Sequence, residues 1–201
     1  MSTVKPAVEP RLPLRHFADF SGTLEANARQ ERAKLGIADT EKVLLFRGDF
    51  VPKNMPGILL EAFLYFLQTA KIADWHLILA GAGSLETTLR EMAKGDLRIH
   101  FLPFGEPAIT YRIGDLCVSP IGHGNSVAEA MISSRAVLVT EKASNTLFLI
   151  QPGVTGWSVD SAHPELWFDY MKAASQTKLR AMGKSAQESF LTHFSEKKVD
   201  K

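Results

Sequence analysis

Apolar positions along the chain fall into short continuous runs separated by polar turns and amphipathic stretches. In 42–47 the run Val43, Leu44, Leu45, Phe46 is unbroken, as expected of a parallel strand buried on both faces. A turn with Gly48, Pro52 and Asn54 leads to Pro56, suited to the first turn of a helix, where no N–H is needed. Ile58, Leu59, Ala62, Phe63, Phe66 and Leu67 then recur at helical spacing, which predicts a core-facing helix. The same unit repeats, with strands predicted at 75–80, 99–102, 116–119 and 136–140 and helices at 85–94, 107–113 and 126–134. A helix at 24–35 stopped by Gly36 precedes this series, and helices at 164–174 and 176–194 close it.

Strands alternating with helices at this interval predict an α/β fold, a Rossmann-like parallel sheet with helices on both faces and right-handed crossovers. Residues 1–23, with Pro6, Pro10 and Pro13 and no clear period, read as a leader or linker, and 24–201 as a single domain. Ligands of such a sheet bind beyond the carboxyl ends of its strands. Functional residues are therefore expected in the turns after Phe46, Ala80, Leu102, Ser119 and Thr140.

Composition narrows the partner. A chain of 201 residues, 45% hydrophobic, can bury one sizeable core. A net charge of +1 provides no global field to recruit nucleic acid or an anionic membrane, which leaves a small molecule or another protein. Cys117, the single cysteine, lies in an apolar run and reads as a buried structural thiol in a reducing compartment. The six histidines show no two-ligand spacing, so no metal is expected. Trp75, Trp157 and Trp167 read as core or interface residues. No apolar run reaches the roughly 18 residues of a membrane span, and the start lacks the apolar centre of a signal peptide, so the expected location is cytoplasmic.

Two glycine-containing turns are candidates for a ligand site. Gly81 and Gly83 follow a strand, but Glu86 stands where a dinucleotide fingerprint has its third glycine, so a tight strand-to-helix turn competes with ligand binding. In 122–129, Gly122 and Gly124 permit close backbone approach to a ligand. The helix they introduce would point unpaired N–H groups and a positive dipole end at an anion such as a diphosphate. Glu129, three residues after Ser126, could instead close a capping box on the helix's own first turn.

The order of these signals from about residue 42 to 199 resembles the C-terminal domain of retaining glycosyltransferases of the GT-B fold, family 4, often called group 1. The matching pieces are 43–49 followed by Ile58 to Phe63, Leu79-Ala80-Gly81-Ala82-Gly83 with Leu89, Phe101-Leu102 through Asp115-Leu116, Glu129-Ala130-Met131, Pro152-Gly153-Val154-Thr155-Gly156, and Met182 to Phe194-Ser195. The resemblance implies half of a GT-B architecture. It implies a glycosyltransferase that takes a nucleotide diphosphate sugar and transfers a hexosyl group with retention to a glycan or lipid-linked acceptor, as in polysaccharide biosynthesis. By the same resemblance Glu129 binds the nucleotide ribose, and Gly124, Asn125, Ser126 and Val127 offer backbone donors to the diphosphate. The turn Pro103-Phe104-Gly105 lies beside the base, and His123 packs or touches a donor phosphate. The acceptor-binding domain is missing here or on another chain, and could bring the protein to the inner face of the membrane.

The sequence also departs from the family pattern. Ile121 stands where an acidic residue contacts the donor sugar, and Asp49 and Asn54 stand at the positions of an arginine and a lysine that face the diphosphate. Arg47 and Lys53, one or two places away, are the candidate substitutes. Ser144 and Asn145 replace paired glycines, and Phe148 replaces a glutamate three places beyond. These departures leave two other readings open, a non-catalytic binding or interaction module and a sugar-nucleotide epimerase half.

Overall fold

The computed structural model describes residue 17 and residues 22–69, 74–140, 147–160 and 166–195. It contains a six-stranded, wholly parallel sheet in the order β3-β2-β1-β4-β5-β6. The strands are β1 (Lys42–Arg47), β2 (Trp75–Ala80), β3 (Ile99–Leu102), β4 (Leu116–Ser119), β5 (Ala136–Thr140) and β6 (Gly156–Val159). Seven α-helices among the described residues connect and close them: α1 (Thr23–Lys34), α2 (Pro56–Thr69), α3 (Glu86–Ala93), α4 (Pro107–Ile113), α5 (Gly124–Ile132), α6 (Leu166–Ala173) and α7 (Gln176–Ser195).

The continuous apolar runs arise because both faces of the sheet are covered. Leu44, Phe46, Leu77, Leu79, Val118 and Leu138 point into one core with α2, α3 and α6. Val43, Leu45, Ile78, Cys117, Val137 and Val139 alternate with them and point into a second core with α1, α4 and α5. The long α7 serves both, through Leu179 and Met182 on one side and Ala186 and Phe190 on the other. Burying each large aliphatic or aromatic side chain of these layers contributes about 1.5–3 kcal/mol. Trp75, Trp157 and Trp167 all belong to the first core.

Five of the six strands begin and end where the apolar pattern places them. The sixth, β6, reads Gly-Trp-Ser-Val, in which the glycine and the serine break up the apolar run. On α2, Leu59, Ala62, Phe63 and Phe66 are buried as the spacing predicts, whereas Ile58 is 39% exposed and Leu60 takes its place inside. Phe17, within the segment read as leader or linker, is fully buried in the second core, and its carbonyl accepts a 2.6 Å hydrogen bond from Arg112 Nη2. The packed unit thus reaches back past the boundary drawn at residue 23; the rest of 1–21 lies outside the described residues, as do Ser144 and Asn145.

One pairing links β2 to the edge strand β3. His76 Nδ1 lies 3.0 Å from His100 Nε2, and His76 Nε2 lies 3.4 Å from Glu41 Oε2. Burial first, and the charge of His76 second, hold His100 below its ordinary pKa. No described helix is long and apolar enough to cross a membrane.

Candidate functional site

The strand order reverses between β1 and β4, with β2 and β3 to one side and β5 and β6 to the other. A crevice outside the carboxyl ends at such a switch point is where open α/β sheets bind ligands. Arg47 ends β1, Ser119 ends β4, and the turn after β3 carries Phe104. These ends converge with the start of α5.

The turn into α5 is held by Ser119. Its carbonyl accepts the Gly122 N–H at 2.9 Å and its Oγ accepts the His123 N–H at 3.0 Å. Gly122 makes the turn at φ 58°, a conformation that favours glycine. The helix then starts at Gly124, two residues before the position expected from Ser126, and no side chain caps it. Gly124, Asn125 and Ser126 therefore carry the first-turn N–H groups that a helix leaves unpaired, together with its positive dipole end. His123, at the N-cap, is exposed, and Val127 is buried beneath the turn.

The earlier start decides between the two readings of Glu129. A capping box needs the carboxylate in the first turn. Glu129 is the sixth residue of α5, beyond reach of that role, and its side chain is instead 3% exposed at the switch point. Its counter-charge is Arg47, whose Nη1 lies 3.6 Å from Glu129 Oε2. Among the described residues this carboxylate accepts no hydrogen bond.

Arg47 is fixed from several sides. Its Nε donates to the Phe104 carbonyl at 3.3 Å, and its guanidinium sits 5.4 Å from the Phe104 ring centre and 5.5 Å from that of Tyr111. Thr110 Oγ1 donates to the Phe104 carbonyl at 3.1 Å and so steadies the same turn. The Tyr111 hydroxyl lies in this group beside Ser126, fully buried and without a hydrogen bond of ordinary geometry. Burial, followed by the negative charge of Glu129, pushes it far above its usual pKa, so it stays a phenol. Tyr111 and Thr110 escaped sequence reasoning. They lie in a helix recognised by its apolar spacing, and their polar atoms gain meaning only when α4 packs beside α5.

The loop after β1 supplies less charge than the family pattern asks. Asn54 is 6% exposed, and its Nδ2 donates to the Asp49 carbonyl at 2.9 Å, so it ties the loop rather than facing an anion. An ammonium there would have to be desolvated beside the Asp49 carbonyl alone, with no counter-charge among the described residues. Lys53 lies exposed on the 3-10 turn Pro52–Asn54 and makes no ion pair among the described residues. Ile121 is half-buried at the turn into α5.

Gly81 and Gly83 lie at the carboxyl end of β2, where packing alone requires their small size. A Cβ on Gly81 would meet the Gly48 carbonyl oxygen at 2.0 Å, and one on Gly83 would meet the Phe50 backbone within 2.8 Å. The Gly48 N–H donates to the Ala80 carbonyl, and the Phe50 N–H to that of Ala82. These glycines thus lock the β2 turn against the β1 turn beside the crevice.

Comparison with known proteins agrees with this fold. Residues 41–176 match the family described as glycosyl transferases group 1. A curated relative, D-inositol 3-phosphate glycosyltransferase of Thermomonospora curvata, is 27% identical over 189 residues, covering 86% of this chain and 42% of that protein. Among solved structures, HepE of Anabaena in complex with UDP and glucose superposes with a TM-score of 0.72 at 16% identity, over 96% of this chain and 56% of that one. The C-terminal domain of LpcC, a group 1 family protein of Francisella tularensis, superposes with a TM-score of 0.71 at 17% identity, over 91% of this chain and 98% of that domain. The chain spans less than half the length of the curated relative it matches.

Proposed function

The chain belongs to the group 1 glycosyl transferases, and from this we propose that it binds the nucleotide diphosphate sugar donor of a retaining hexosyl transfer. The observation that carries the reading is the buried Glu129 carboxylate, free of hydrogen bonds among the described residues and next to the uncapped start of α5. A carboxylate with open acceptor sites suits the hydroxyls of a ribose. The unpaired N–H groups of Gly124, Asn125 and Ser126 suit a diphosphate one helical turn away. Phe104, with Arg47 behind it, offers the base an aromatic wall. That Anabaena HepE was crystallised with UDP and glucose supports a donor of the same kind.

In this reading the chemistry is leaving-group stabilisation. As the glycosidic bond breaks, negative charge grows on the departing diphosphate, and preorganised N–H groups at a helix start meet that charge without reorganising. Arg47 is committed to Glu129, so Lys53 is the side-chain cation nearest in sequence that could add to this field. The acceptor, a glycan or lipid-linked molecule, would be held by a second domain, upstream in a longer chain or on another one. That domain would also set any place at the inner membrane face. The test is calorimetric titration of the chain with UDP, GDP and their sugars. Saturable binding of one nucleotide supports donor binding; a folded sample that binds none of them refutes it.

A further inference from the structure

A polar cavity lies at the amino ends of the strands, at the opposite end of the sheet from Glu129 and the start of α5. It has a volume of about 280 Å³ and is walled by α1, the residues before β4 and β5, and the first turns of α7. Five arginines line it against three carboxylates.

The floor is built and rigid. Arg32 donates from Nη1 to Asp115 at 2.9 Å and to the Ile113 carbonyl at 3.1 Å. Arg135 Nη2 donates to both Glu25 oxygens, at 2.7 and 2.9 Å, and Arg112 Nε lies 3.4 Å from the same carboxylate. One carboxylate thus serves two guanidinium groups. Backbone carbonyls, among them those of Ala38, Ala108 and Ser134, take further N–H groups of these arginines, but the Nε groups of Arg32 and Arg135 are buried with no hydrogen-bond partner. At the rim Arg29 on α1 and Arg180 on α7 are exposed and form no ion pair among the described residues. The third carboxylate, Asp39, is on the loop before β1, and its carbonyl is taken by Gln176 Nε2.

A rim of two guanidinium groups unpaired among the described residues, over a floor of three arginines against two carboxylates with two unpartnered Nε groups, is a receptor for a small dianion. Guanidinium matches phosphate oxygens bidentately. We propose that this cavity binds a phosphate group, either free inorganic phosphate or a small phosphate monoester, or the headgroup of an anionic lipid, with Arg29 and Arg180 as its rim clamps. The site is separate from the donor crevice, and its occupancy does not depend on the donor reading. Because Arg135 immediately precedes β5 and Asp115 precedes β4, a bound anion would stiffen the starts of the two strands whose other ends face the crevice.

The test uses the ¹⁵N-labelled chain, titrated with inorganic phosphate at constant ionic strength and read at the amides of Arg29, Arg32, Arg135 and Arg180. The chain is also co-sedimented with vesicles containing phosphatidic acid. Arg29→Gln/Arg180→Gln changes only exposed side chains, and unchanged melting would show that it folds. The expected result is saturable shifts at these amides, weakened about ten-fold or more in the double variant. Vesicle binding lost in that variant, without saturation by free phosphate, would assign the phosphate to a lipid. Shifts confined to 122–127, a double variant that binds as the wild type does, or no response in either arm would overturn the proposal.

Discussion

Arg47 and Glu129 face each other at 3.6 Å across the switch point of the sheet, with side chains 12% and 3% exposed. The pair joins the end of β1 to the second turn of α5 and sets Glu129 in place, while its oxygens accept no hydrogen bond among the described residues. Removing Arg47 strands a buried carboxylate, which is more costly than removing both charges. Arg47→Met should therefore destabilise the chain more than Arg47→Met/Glu129→Gln does. Urea unfolding of the four proteins of the cycle should give a coupling of about 0.5–3 kcal/mol.

The crevice depends equally on two backbones in contact. Gly81→Ala would drive a Cβ to 2.0 Å from the Gly48 carbonyl oxygen, and the obstacle is main chain, which cannot swing aside. The expected loss is about 3 kcal/mol, at the upper end for overpacking. Thermal unfolding would show it, and unchanged stability would mean that the two turns are not locked together.

Cys117 lies 3% exposed in the second core, and burial pushes its thiol up to about 12. It should not react with a thiol reagent at neutral pH until the chain unfolds. Labelling measured along a urea titration should follow the unfolding curve.

The edge of the sheet should respond to acid. The folded pKa of His100 lies below its ordinary 6.5, through burial and then the neighbouring charge of His76. Below pH 6.5 the unfolded chain takes up a proton that the folded chain resists, so stability present at neutral pH falls as the solution is acidified. Around this histidine lie Glu41, Asp96 and Arg98. Glu41 is held low chiefly by the Ala38 N–H, and Asp96 by Arg98; both lose stability on acidification too, but only near and below their ordinary 4.5 and 3.8. The loss between about pH 7 and 5.5 should therefore shrink in His100→Gln, measured by urea midpoints across that range.

Much of the architecture was legible because parallel strands covered on both faces must be continuously apolar, as Val43 to Phe46 and Val137 to Val139 are. The expectation of a ligand beyond the carboxyl ends of the strands followed from the same alternation. What escaped depended on contacts between distant segments. The start of α5 moved to Gly124 because Ser119, not Ser126, takes up the turn's N–H groups, and that alone removes Glu129 from a capping box. Arg47 looked like a stand-in for a phosphate-binding arginine; its fixed contacts with Glu129, Phe104 and Tyr111 show a different commitment. Phe17 could not be recognised as core while the prolines around it suggested a leader.

The most direct measurement is calorimetric titration of UDP and GDP into the wild-type chain and into Glu129→Ala. The variant should keep its fold and bind the preferred nucleotide about ten-fold or more weakly, as expected for loss of hydrogen bonds to a charged group. Nucleotide affinity unchanged by Glu129→Ala would contradict the assignment of Glu129 to the donor ribose.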